Sequence, residues 1–285
     1  MDLHVEVAPE VLGRVSIPGT DLELLITNSF FTMLLVMGAL LVAGALIARR
    51  ATLIPSHVQS VFELMTEFML RLVESAAGGT FARRIFPLIG TLFIFILFAN
   101  WTGLLPGMET IHWDVDGQHI PLLRPPSADL NMTIAMALVT FVVVQIAGVS
   151  SHGVIGRLKH MAQGPLWLAW LLFMIEVISE LSRIISLSFR LFGNVFAGEV
   201  LLGVMYTIAN IIKISVVGLL LPVVFLYLEV LFGFIQALVF ALLTMIYIVL
   251  AAAHEEGHEE HESGHGEWKE PADVEEGSAR ASAGD

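Results

Sequence analysis

The chain has no cysteine among its 285 residues, which excludes disulfides and thiolate metal sites. Charge is scarce as well: only 14% of residues are Asp, Glu, Lys or Arg, against 56% hydrophobic, and mean hydropathy is +0.81. A soluble domain of this size does not need so much apolar surface. The first ten residues, MDLHVEVAPE, lack the basic flank of a secretory signal, and no transit peptide is expected. No internal repeat is visible, so an inverted-repeat carrier gets no support.

What is present is a series of long apolar runs. Spanning about 30 Å of hydrocarbon takes roughly 20 apolar residues, and several runs meet that length. They are too long and too continuous for barrel strands. The expected fold class is therefore an all-α polytopic membrane protein. Spans are expected at about 25–47, 86–105, 132–149, 165–206 and 209–253, in a membrane domain over 25–253. Residues 55–77 read differently. Val58, Val61, Phe62, Met65, Phe68, Met69 and Val73 recur at helical spacing between His57, Glu63, Glu67, Arg71 and Glu74, the pattern of an amphipathic helix on the membrane surface. Residues 109–129 and 150–164 read as loops.

The last two runs each exceed forty residues, which as helix is about 60 Å, roughly twice the hydrocarbon thickness. Each must be tilted, bent or broken, and Pro222 offers a kink in the second. The expectation is a long tilted hairpin curving along another protein surface. Orientation follows from basic residues. Arg49, Arg50, Arg71, Arg83 and Arg84 lie between the first two spans, and Arg157 and Lys159 follow the third, whereas the 109–129 loop has only Arg124. The N-terminal segment, 1–24, is thus expected outside and the C-terminus in the cytoplasm.

Net charge is −13, but residues 254–285 hold eleven Asp/Glu and two Lys/Arg, or −9, leaving −4 for the rest. The acidity belongs to a tail expected to be disordered and to say little about function. The tail carries two formal matches to H-E-x-x-H, at His254–His258 and His261–His265. A membrane metalloprotease is the rival class these raise. Gly257 and Gly264 weaken a helix there and no third ligand is evident, so no metal site is expected.

Arg190 is the most informative residue. In IISLSFRLFGNVFAGEVLLGVMY (184–206) the only other ionisable group before the final tyrosine is Glu199. A guanidinium stays protonated at physiological pH, and placing one at mid-bilayer costs from about 2.5 to more than 10 kcal/mol. Such a charge faces a cavity, an ion path or an opposite charge. On a continuous helix at 100° per residue, Glu176, Glu180, Arg183, Ser186, Arg190 and Asn194 fall within an arc of about 120°, a polar face about 27 Å long. Glu199 points away from it. On the next helix Glu229 and Gln236 share a face, with Tyr247 roughly in line. Antiparallel packing brings Glu229 near the depth of Glu199 and Gln236 near Arg190. One polar set then opens outward and another inward, with a fixed cation between them. A proton crosses such an arrangement only on a third party that carries a titratable group past Arg190. The alternatives are a helix-end ion cluster for Glu176, Glu180 and Arg183, back-bonding within the helix for Ser186, interhelical glue for Gln236, an interfacial anchor for Tyr247, and a structural pair with Glu199 or Glu229 for Arg190.

The stretch LSRIISLSFRLFGNVFAGE (181–199) resembles subunit a of the F-type ATP synthase. PPSADLNMTIAMAL (125–138), FANWTGLLPG (98–107) and IQALVFALLTMIYI (235–248) are similar to the entry to that family's third span, the end of the preceding span and its final helix. The resemblance covers about 25–253. It implies a proton-translocating stator subunit, with a ring of c subunits, a b-subunit peripheral stalk, the rest of the complex and membrane lipid as partners; with no transit peptide visible, a bacterial inner membrane is the expected location. No nucleic acid and no cofactor are implied. By the same resemblance Arg190 is the coupling charge that favours proton release from a passing ring carboxylate and blocks a leak between half-channels. Asn194, Glu199, Glu229 and Gln236 match the outer path, and Glu176, Glu180 and Ser186 the cytoplasmic one. A charge falling through 100 mV yields about 2.3 kcal/mol of drive. The chain itself is expected to hydrolyse nothing. Many relatives have a histidine at one member of the Glu199/Glu229 pair. Here both are glutamates, expected to share one proton if close.

Overall fold

The computed structural model describes residues 9–16, 23–52, 55–105, 108, 111–115, 118–161, 166–212 and 215–252. The expected tail, with both H-E-x-x-H matches, lies outside the described residues. Six helices follow in chain order: α1 (Asn28–Arg49), α2 (His57–Ala77), α3 (Gly79–Thr102), α4 (Leu130–Met161), α5 (Leu166–Ile212) and α6 (Ser215–Ala252). Residues 28–49, 79–102, 130–157 and 222–252 are long and apolar enough to cross a membrane. The architecture is an all-α polytopic bundle whose last two helices form the long hairpin.

The core lies on α3. Its Ile89, Phe93, Ile96 and Leu97 are fully buried, as are Ala237, Phe240, Ala241 and Ile248 of α6. Phe93 and Phe234 meet edge to face, with centroids 5.9 Å apart, the geometry that aromatic quadrupoles favour. α5 packs on α4 and α6, and α1 is largely exposed at the periphery. Ser56 caps α2 by accepting from the Gln59 amide. The α2 stripe sorts as amphipathicity predicts in part: Met69 and Val73 are buried against the core, while Val58, Val61 and Phe68 are exposed.

Two antiparallel hairpins flank the helices where the sequence reading assigns no element. β1 (Val11–Ser16) pairs with β2 (Glu23–Thr27), and β3 (His112–Val115) pairs with β4 (Gln118–Pro121). The first span therefore starts as helix at Asn28, because residues 25–27 belong to β2. A 3-10 turn, Pro126–Ala128, leads into α4. Asn28 donates to the Pro121 carbonyl (3.2 Å), and the Arg124 amide donates to Thr32 Oγ1 (3.1 Å), which fastens this loop to the start of α1.

The loop expected at 150–164 needs correction: helix continues to Met161, across a break at Gly153. Gly153 has φ 70° and ψ 168°, a region that is essentially glycine-only. The sequence reading fails there because serines and a glycine read as a loop, whereas one glycine suffices to reverse a helix.

Candidate functional site

The polar arc on α5 straddles the rim of the bundle. Its two edges are Glu180 and Ser186, separated by about 120°. Glu180 is buried and Ser186 exposed. Between them Glu176, Arg183 and Asn194 are half-buried, and Arg190, nearer the Ser186 edge, is exposed. The exposed side of α5 next to this arc, about 100–140° around the helix from Arg190, carries bare apolar side chains, Ile178, Ile185 (57% exposed) and Phe189 (54%). Among the described residues Arg190 has no hydrogen-bond or ion-pair partner. The structural pair with Glu199 or Glu229 is not what the fold builds.

At the hairpin end of the bundle a cavity of about 440 Å³ opens between α3, α5 and α6. Glu199 and Glu229 both line it, with Asn100, Pro125 and Tyr206. The arrangement depends on Gly198, whose missing side chain leaves room for the Glu229 carboxylate: a Cβ there would collide with Glu229 Oε1, Cδ and Oε2. Two consecutive residues of α3 hold the turn of α6 that carries Glu229. Asn100 Nδ2 donates to the Gly233 carbonyl (3.2 Å), and Trp101 Nε1 donates to the Val230 carbonyl (3.1 Å).

Two contacts set the register of the α5–α6 hairpin. Gly198 meets Glu229, and the Arg183 guanidinium lies 5.0 Å from the Tyr247 ring centroid, a cation–π distance. The helices run antiparallel between them, α5 from 198 back to 183 while α6 advances from 229 to 247. Gln236 therefore falls level with about residues 191–192, within one helical turn of both Arg190 and Asn194. Gln236 is buried. Its Nε2 and the Asn194 Nδ2 are buried amide groups with no protein acceptor.

The other end of the polar face is built around a buried ion pair. Arg157 (8% exposed) donates from Nη2 to Glu180 Oε1 at 2.8 Å, and Glu180 is 6% exposed. Arg157 Nε donates to Gln145 Oε1 at 3.4 Å, and Gln145 Nε2 donates to Glu180 Oε2. A small cavity of about 20 Å³ adjoins, lined among others by Thr140, Gln145, Glu180, Arg183 and Tyr247. That is room for one water. Tyr247 stacks under Arg183.

Thus Glu199 and Glu229 share one cavity, Gln236 and Asn194 lie at the depth of Arg190, and Glu180 is tied to Arg157. Ser186 is not brought against any of these. Sequence reasoning missed Asn100, Gly198, Gln145 and Arg157 as parts of the site. Asn100 sits inside FANWTGLLPG and Gly198 beside Glu199, so both had a local signal. Gln145 was one polar residue in an apolar span, which is itself a marker. Arg157 was counted only toward orientation.

A family model described as "ATP synthase A chain" matches residues 30–249. Among similar proteins, ATP synthase subunit a of Nitratiruptor sp. is 34% identical over 65% of this chain and 74% of its own length. That of Mycobacterium ulcerans is 39% identical over 54% of this chain and 60% of its own. ATP synthase subunit a 1 of Syntrophotalea carbinolica is 37% identical over 68% and 77%.

Proposed function

The chain belongs to the ATP synthase A chain family, which makes it a multi-pass, proton-translocating membrane subunit of an ATP synthase complex, and from that premise we propose how its residues move protons. Two offset half-channels meet at Arg190, and the proton crosses between them on a carboxylate of a rotating c ring. The observation that carries this reading is the placement of Arg190: exposed and unpartnered on the outward face of α5, level with Gln236, between a carboxylate-lined cavity at one end and the Glu180 cluster at the other.

The outer half-channel is the cavity with Glu199 and Glu229, continued inward by Asn194 and Gln236. Its two unpartnered amide groups suit transient water or a passing carboxylate. The cytoplasmic half-channel runs along Glu176, Glu180 and Ser186. Between the two, Arg190 attracts an ionised ring carboxylate and disfavours the protonated one. It repels a free proton or hydronium, so the halves do not leak directly.

Arg190 and the exposed apolar side chains of the adjoining side of α5 together form the surface against which the ring turns. The peripheral stalk, with its b subunits, holds the chain as stator. Basic residues flanking the first three spans support a cytoplasmic C-terminus, and the bacterial relatives support an inner-membrane location.

The test is ATP-driven acidification of inverted membrane vesicles bearing wild type or Arg190→Ala, with assembly checked on the same membranes. Loss of pumping in an assembled complex is expected. Unchanged pumping overturns the coupling role.

A further inference from the structure

On a straight helix, Gln145 and Arg157 would stand about 18 Å apart along the axis. The reversal at Gly153 instead brings the Arg157 Nε to 3.4 Å from Gln145 Oε1 and packs its side chain against Gly148, where a Cβ would meet Nε at 2.9 Å. The guanidinium fork then divides, Nε to Gln145 and Nη2 to Glu180. Gln145 closes the triangle by donating to the second Glu180 oxygen. Both oxygens of Glu180 are held, so its carboxylate cannot rotate.

A buried ion pair is weak as a source of stability, because desolvation offsets the attraction and apolar side chains of like volume serve as well. Its location points elsewhere. Glu180 lies on the inner edge of the α5 polar face, one turn from Glu176 and about 15 Å along the axis from Arg190. It adjoins the one-water cavity shared with Arg183 and Tyr247.

We propose that Arg157 is a positioning residue for proton release: acting through Glu180 and Gln145, it fixes the carboxylate that orients water in the cytoplasmic half-channel. This rests on the function proposed above. Arg157 neither touches the ring nor carries the proton. It sets where the acceptor stands.

The decisive variant is Arg157→Lys in the assembled complex, because it keeps both buried charges and the Glu180 carboxylate but loses the fork. ATP-driven acidification is measured per assembled complex in H₂O and in D₂O. Pumping is expected to fall about fivefold with a larger solvent isotope effect, because proton transfer at this point then limits the rate. A complex that pumps at the wild-type rate, or slows with an unchanged isotope effect, overturns the proposal and leaves the pair a structural one. Should that variant fail to assemble, Arg157→Gln, which also keeps the Glu180 carboxylate, decides by the same readout: an increased isotope effect supports the proposal and an unchanged one overturns it. Arg190→Ala runs alongside. If that variant pumps normally, the underlying reading fails. If it is dead while the Arg157 variants are normal, only this inference fails.

Discussion

The carboxylate of Glu229 occupies the space that a side chain at position 198 would fill. The glycine is therefore a shape requirement of the cavity, and it couples a backbone position on α5 to an acid on α6. Gly198→Ala must push Glu229 out of its seat. A transfer barrier raised by about 1.4 kcal/mol is tenfold in rate, so ATP-driven pumping is expected to drop about tenfold in an assembled complex. Adding Glu229→Asp, one methylene shorter, should recover part of the loss. Wild-type pumping by Gly198→Ala would show that the contact has no bearing on translocation.

Asn100 and Trp101 hold two carbonyls about one turn apart on α6, at Gly233 and Val230, and so fix the turn bearing Glu229. Asn100→Ala removes one of these bonds and is expected to cost about 0.5–1.5 kcal/mol, read as a lower thermal inactivation temperature. Trp101→Phe removes the other donor but keeps an aromatic ring, and should show a milder shift. Wild-type inactivation temperatures in both variants would mean that the turn needs no such support.

Much of the fold was legible in the sequence because apolar length and helical spacing are local signals. The long runs became helices, and the arc computed at 100° per residue holds on α5. What the period does not reveal is which edge of an arc faces inward. Glu180 and Ser186 looked equivalent until packing on α4 buried one and exposed the other. The Arg157–Glu180 pair was out of reach for a different reason. It joins residues far apart in sequence through a reversal at one glycine, and serines followed by glycine also describe a loop. The two hairpins were missed because strands of four to six residues carry too short an alternation to stand out.

Gly153 and Gly78 share a backbone region closed to other residues, at φ 70°, ψ 168° and φ 76°, ψ 150°. Alanine at either is expected to cost about 1–3 kcal/mol, seen as reduced yield of assembled complex. Their functional effects should part. Gly78 joins α2 to α3 and nothing lies within 4 Å of a Cβ there, so its complexes should pump at the wild-type rate. Gly153→Ala disturbs the segment that delivers Arg157 and should pump more slowly per complex. Identical rates for the two would contradict a link between the reversal and translocation.

Gln236 separates stability from function. Its Nε2 is buried with no protein acceptor, and leaving a buried donor unmet costs about 1–3 kcal/mol. Gln236→Leu removes that donor at similar volume, so the thermal stability of the complex should hold or rise. Pumping should nevertheless fall, because the side chain lies within a turn of Arg190 and Asn194 and leucine offers a proton path nothing to bond. A destabilised variant would mean that the amide is interhelical glue, the alternative open at the level of sequence. A stable variant with normal pumping would remove Gln236 from the proposed path and leave Asn194 as the amide within a turn of Arg190.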